Sequence, residues 1–85
     1  MKNIYEEKMY DMTYFISGVV DGDIFSVSLW SKKDGQSERK IGAVRLRLSH
    51  PKFESELHKV VEGFKNEIRG IRKGLDVVAE IADHA

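Results

Sequence analysis

Val19-Val20-Asp21-Gly22-Asp23-Ile24-Phe25 is the stretch that decides the fold. An Asp-Gly pair between β-prone residues supplies the positive φ angles that a two-residue hairpin turn needs. We therefore expect two antiparallel strands joined at Asp21-Gly22, with Val20 opposite Asp23. That register pairs Ile16 with Val27, Tyr14 with Leu29, Val19 with Ile24 and Thr13 with Trp30.

A third strand is predicted after a second Asp-Gly pair, Asp34-Gly35, which lies in a polar stretch. From about residue 39 to residue 48, apolar side chains alternate with arginines, which is typical of a half-buried antiparallel strand. The three strands predict one apolar face that packs in the core. Its members are Tyr14, Ile16, Phe25, Val27, Leu29, Val44, Leu46 and Leu48.

The C-terminal third of the chain predicts a long amphipathic helix. Ser49-His50-Pro51 ends the last strand and supplies a polar cap followed by a proline, which is tolerated in the first turn of a helix. Apolar residues then recur at alternating spacings of four and three, as in a heptad seam. They are Leu57, Val61, Phe64, Ile68, Ile71, Leu75, Val78 and Ala82.

The length of this helix leaves two alternatives open. A helix over residues 51–84 spans roughly 50 Å, whereas a compact domain of this size is about 30 Å across. Either the chain breaks near Gly70 or Gly74 into a helix pair, or the helix continues and its overhang pairs with a second copy. We predict a homodimer, with dimerisation residues Phe64, Ile68, Ile71, Leu75 and Val78.

The fold class predicted is α+β, a three-stranded antiparallel sheet (β-meander) packed on a long C-terminal helix. We expect residues 1–85 to form a single domain, with the sheet over 13–48 and the helix or helix pair over 51–84. Residues 1–12 are expected to form an N-terminal arm or a short helix.

Composition favours a soluble cytoplasmic protein. Fourteen basic residues balance fourteen acidic ones, and there is no cysteine. No run approaches the roughly 18 apolar residues of a membrane span. Zero net charge removes the global field that draws strongly basic proteins to nucleic acid, so polyanion binding would need a local patch.

Residues that carry chemistry are not arranged in any pattern typical of an active site. The spacings of His50, His58 and His84 do not suit a shared metal ion, and Asp21 and Asp23 are interpreted as turn residues. The sequence lacks a nucleophile elbow and a phosphate-binding loop. We predict no catalytic residue, no metal site and no cofactor.

The second face of the sheet is the candidate contact surface. Tryptophan and arginine are enriched at protein–protein hot spots, and aromatic residues beside cations also bind single-stranded nucleic acid. The predicted partner-binding residues are Phe15, Trp30, Lys32, Arg39, Arg45 and Arg47. Alternatively, the N-terminal segment covers Phe15 and Trp30 and leaves the arginines solvated.

The order of strands and helix resembles, in architecture alone, double-stranded-RNA-binding domains and small phage-encoded inhibitors of bacterial proteins. The basic residues of the RNA-binding domains at the start of the last helix are not matched by His50-Pro51-Lys52-Phe53-Glu54-Ser55-Glu56. The leading hypothesis is a non-catalytic protein-binding module, such as a phage or mobile-element inhibitor or accessory factor. The alternatives are a nucleic-acid-binding module and a structural assembly domain.

Overall fold

The structure, a computed structural model that describes residues 2–84, is a four-stranded antiparallel sheet with one helix packed on one face. The strands follow one another in the sheet in chain order. The elements are β1 (Lys2–Met9), β2 (Met12–Asp21), β3 (Ile24–Lys33), β4 (Arg39–Arg47) and α1 (Phe53–His84). The α+β class is confirmed.

The prediction of three strands was wrong by one, because most of the N-terminal segment 1–12 forms β1 instead of an arm or a short helix. Strand β1 pairs with β2 and lies at the edge of the sheet, with a register shift between Asn3 and Tyr5. The loop to β2 is Tyr10-Asp11, where Tyr10 has φ +55. Non-glycine residues rarely adopt this conformation, so the residue type at Tyr10 does not predict a turn.

The hairpin between β2 and β3 has a register two residues away from the predicted one. Asp21 lies opposite Ile24, so the turn residues are Gly22 and Asp23. Gly22 has φ +60, as expected for the first central residue of a type II′ turn. The shift pairs Ile16 with Leu29, but it preserves the faces because side chains alternate with period two.

A β-bulge interrupts the pairing of β3 with β4. Leu29 lies opposite Gly42, whereas the next residue, Trp30, lies opposite Lys40, so that Ile41 is the extra residue. Beyond the bulge the alternation of β4 is inverted. Arg39, which was predicted on the second face, lies opposite Ser31 on the face shared with Leu29.

Helix α1 is continuous through Gly70 and Gly74. It begins two residues after Pro51, where the backbone N–H of Lys52 donates to His50 Nδ1 over 3.1 Å. Its apolar stripe packs on the inner face of the sheet. The buried cluster is Met9, Tyr14, Ile16, Val27, Leu29, Leu46, Phe64 and Ile68, with Phe25 and Val44 partly buried beside it. Leu48, predicted for this core, lies beyond β4 and is exposed.

The helix is longer than the sheet that it covers. The molecule measures 54 × 26 × 14 Å with a radius of gyration of 15.3 Å, against roughly 12 Å for a compact chain of this length. The last turns of α1 therefore extend past the sheet. Val77, Val78 and Ile81 there are 54%, 63% and 63% exposed.

Candidate protein-binding surface

The face of the sheet turned away from α1, called the outer face below, carries an ordered aromatic pair. Phe15 and Trp30 lie directly opposite each other on β2 and β3. Their rings are stacked, with centroids 5.9 Å apart and planes 7° apart. Trp30 Nε1 donates to Ser17 Oγ over 2.8 Å. Stacking and this hydrogen bond together fix the indole in one orientation.

The bulge in β4 places a cation on the other side of the indole. Lys40 lies opposite Trp30, and its ammonium is 5.1 Å from the ring centroid, within the range of a cation–π interaction. Since β3 lies between β2 and β4, Phe15 and Lys40 flank Trp30 from opposite sides. The indole therefore offers its edge, and neither of its faces, to an incoming group.

Phe15 is only 5% exposed although no element of the described chain packs over the outer face. Side chains of neighbouring strands flank it: Trp30 of β3 stacks on it, and Glu6 of β1 lies opposite it. Strand β1 lies beside β2 in the plane of the sheet. The alternative in which the N-terminal segment covers the aromatic residues is therefore wrong.

Exposed cations lie along the outer face of β3 and β4, from Lys32 near Trp30 to Arg47 at the hairpin end. Arg45 lies opposite Ser26 and Arg47 opposite Ile24, while Lys32 follows Trp30 on the same face of β3. Within residues 2–84, none of these three cations has an acidic partner within 4 Å. The outer face is thus locally basic in a chain of zero net charge.

Five of the six predicted partner-binding residues share this surface. They are Phe15, Trp30, Lys32, Arg45 and Arg47. Arg39 is replaced next to Trp30 by Lys40, which sequence reasoning missed because a one-residue bulge leaves no clear signal in a strand pattern. Phe15 is buried and packs against the ring of Trp30. Of the predicted partner-binding residues on this face, Lys32, Arg45 and Arg47 are exposed.

The predicted dimerisation residues are divided between two environments. Phe64 and Ile68 are buried against the chain's own sheet, and Ile71 and Leu75 are partly buried beside them. Only Val78 of this set is exposed. The available apolar surface of α1 therefore lies nearer its C-terminus than the prediction placed it.

A polar network attaches the middle of α1 to β1. The Tyr5 hydroxyl donates to Glu7 over 2.7 Å, and Arg72 Nε donates to Glu7 Oε2 over 2.9 Å. These two hydrogen bonds hold the pKa of Glu7 below its ordinary value, and the bond to Glu7 raises the pKa of Tyr5. The network is an intramolecular clamp in which Arg72 of α1 and Glu7 of β1 form an ion pair.

A second clamp lies one turn later. The Tyr10 hydroxyl donates to Asp76 over 2.9 Å, which raises the pKa of Tyr10. Together the clamps orient α1 where it leaves the sheet. They join residues 65 and 66 positions apart, so sequence spacing gives no sign of them.

Groups that could bind a metal ion are dispersed in the part of the chain that the structure describes. No three His, Asp or Glu side chains in it are placed to hold a metal ion. Asp23 accepts hydrogen bonds from Ser49 N and Ser49 Oγ, so it fastens the β4–α1 connection to the hairpin turn. His50 has the capping role described above, and the side chain of His84 lies outside the described residues.

The fold and this surface define a small α+β domain with an uncovered, locally basic sheet face. Comparison with protein-family models, curated proteins and solved structures finds no match for the chain. Within residues 2–84, the single helix lacks the apolar character that crossing a bilayer requires.

Proposed function

We propose that this protein is a non-catalytic protein-binding module, acting as an inhibitor or accessory factor that occupies an acidic surface of a larger partner. We further propose that it works as a homodimer. The observation that carries the proposal is Trp30, held edge-on between Phe15 and Lys40 on a sheet face that carries further exposed cations.

Preorganisation supports this role for Trp30. A side chain that is already fixed by stacking and by a hydrogen bond loses little conformational freedom when a partner binds. Tryptophan and arginine are the residues that most often dominate binding energy at interfaces. An ordered Trp30 on the same sheet face as Arg45 and Arg47 therefore suits a hot spot.

Charge specifies the partner's chemistry. Lys32 and Lys40 lie beside Trp30, while Arg45 and Arg47 lie opposite residues four and six positions away along β3 on the same face. Complementary potentials speed association and exclude like-charged surfaces. The partner surface that fits is rich in Asp and Glu, with an apolar slot for the indole edge.

Nucleic acid is the second candidate, favoured by the same four cations. Base stacking needs an aromatic face, and both faces of Trp30 are occupied. This arrangement favours protein over single-stranded nucleic acid.

The experiment compares partner capture by the wild type with capture by the double variant Arg45→Glu/Arg47→Glu. Lys59→Glu is the matched control, because it reverses an exposed charge on α1. A specific partner should be retained by the wild type and by the control and lost by the double variant. Affinity of the purified pair should fall more than tenfold for the double variant, or by more than about 1.4 kcal/mol.

Two results would contradict the proposal. One is equal loss of the partner with Lys59→Glu, and the other is undiminished binding by the double variant. Tight binding of a labelled single-stranded oligonucleotide that falls steeply between about 50 and 200 mM salt would instead support the nucleic-acid function.

A further inference from the structure

The last turns of α1 carry a second apolar face that does not point to the sheet. Gly70, Gly74, Val77 and Ile81 recur at spacings of four, three and four, which places them on one side of the helix. Val77 and Ile81 are more than half exposed. A Cβ added at Gly70 or Gly74 would meet nothing within 4 Å.

We propose that this face binds the same face of a second copy of the chain, with the two helices antiparallel and the twofold axis near residues 75 and 76. This arrangement rests on the homodimer of the proposed function and does not involve the outer face. Each Gly70 then lies opposite the second copy's Ile81, and each Gly74 lies opposite the second copy's Val77.

Shape complementarity favours this arrangement over a parallel one. Gly70 and Gly74 leave gaps in the first half of the contact. The β-branched side chains of Val77 and Ile81 project in the second half. Antiparallel pairing places each large residue over a gap. Parallel pairing would place glycine on glycine and would leave the gaps unfilled.

The distribution of charged residues along the end of α1 independently favours the antiparallel orientation. The charged residues between 69 and 73 are all basic, and those between 76 and 83 are all acidic. Lys73 and Glu80 flank the second apolar face, and neither has an ion-pair partner within 4 Å among residues 2–84. In the antiparallel dimer each Lys73 reaches the second copy's Glu80, whereas a parallel pair would oppose like charges.

The overhang leaves room for the second copy. With this twofold axis the two helices overlap each other only over residues 67–84. The contact from Gly70 to Ile81 is roughly 17 Å long. The sheets pack mainly on the N-terminal halves of the helices, so they lie at opposite ends of the pair. Sheet edges are less suited to the dimer, because β1 and β4 both carry irregularities and charges that disfavour edge pairing.

The first test is charge reversal, read as mass in solution by size exclusion with light scattering. The wild type should have twice the 9.7 kDa chain mass at about 100 μM and should dissociate on dilution. Lys73→Glu should weaken the dimer at least tenfold, and the double variant Lys73→Glu/Glu80→Lys should restore it. A wild type that is monomeric at about 100 μM, or a double variant that is not restored, would overturn the proposal.

The second test fills one gap. Gly74→Leu should abolish the dimer, although leucine is a better helix former than glycine and should stabilise the isolated helix. Gly63→Leu is the matched control, since Gly63 is equally open but lies outside the overlap. An unchanged dimer in Gly74→Leu, or equal loss in Gly63→Leu, would exclude this interface. Partner capture by the outer face should persist in a monomeric Gly74→Leu chain, so the two proposals can fail separately.

Discussion

Phe15 and Ile16 are neighbours in the chain and are both buried, yet they are buried on opposite faces of the sheet by different means. Ile16 is 0% exposed beneath α1, in a core closed by a second layer. Phe15 has no second layer over it and is flanked by side chains of its own sheet, among them Trp30, which stacks on it. A sheet face can therefore order an aromatic residue without a second layer, provided that a neighbouring side chain is fixed against it.

Truncating Phe15 and Ile16 to alanine should lower the free energy of unfolding by different amounts, because the two side chains are buried in different ways. Ile16→Ala removes packing in a closed core and should cost about 2–5 kcal/mol of unfolding free energy, because a cavity remains. Phe15→Ala should cost about 2 kcal/mol, since Trp30, Lys40 and water can close over the gap and only the transfer of the ring is lost.

Urea denaturation measures both free energies, and fluorescence reports on the outer face because Trp30 is the only tryptophan. Its emission should shift strongly in folded Phe15→Ala and little in folded Ile16→Ala. A larger loss of stability in Phe15→Ala would mean that the outer face is a second closed core.

The hydrogen bond that fixes Trp30 allows a smaller and sharper test. Ser17→Ala removes the acceptor of the indole N–H and should destabilise the fold by about 1 kcal/mol, with a changed Trp30 emission spectrum. Ser28→Ala is the control, because it truncates another buried serine on the outer face and leaves the indole bond intact. Equal spectral changes in the two variants would show that Ser17 does not position Trp30.

Much of this architecture is predictable from local patterns. The faces of β2 and β3 were predicted correctly although the register was not, because a shift of two residues leaves every side chain on its face. The apolar seam also identified the side of α1 that packs on the sheet, and the length argument identified its overhang.

The remaining features depend on contacts between residues far apart in the chain. Strand β1 was missed because only Tyr5, Glu7 and Met9 turn inwards, and a carboxylate in that row argues against a buried strand. Arg72, distant in sequence, neutralises Glu7. Lys40 was missed because the bulge at Ile41 becomes visible only when β4 is paired with β3.

The Tyr5–Glu7–Arg72 network predicts that the stability of the fold depends on pH. This network joins β1 to α1 close to the point where α1 leaves the sheet. The folded-state pKa of Glu7 is lowered, first by the hydrogen bond from Tyr5 and then by Arg72. The clamp therefore contributes stability that is fully present above the unfolded-state pKa, near 4.5, and that is lost as the pH falls through the lower folded-state value. At neutral pH, Glu7→Gln should have a lower free energy of unfolding than the wild type. Below pH 4.5 its free energy of unfolding should fall less steeply than that of the wild type.

Urea midpoints measured across this acid range, for the wild type and for Glu7→Gln, test the clamp. Glu6→Gln is the matched control, because it removes a carboxylate from the same strand but not from this network. Parallel pH profiles for the wild type and Glu7→Gln would show that the hydrogen bonds of Glu7 to Tyr5 and Arg72 do not stabilise the fold. In that case the direction in which the overhang leaves the sheet would be set by apolar packing and by the Tyr10–Asp76 hydrogen bond.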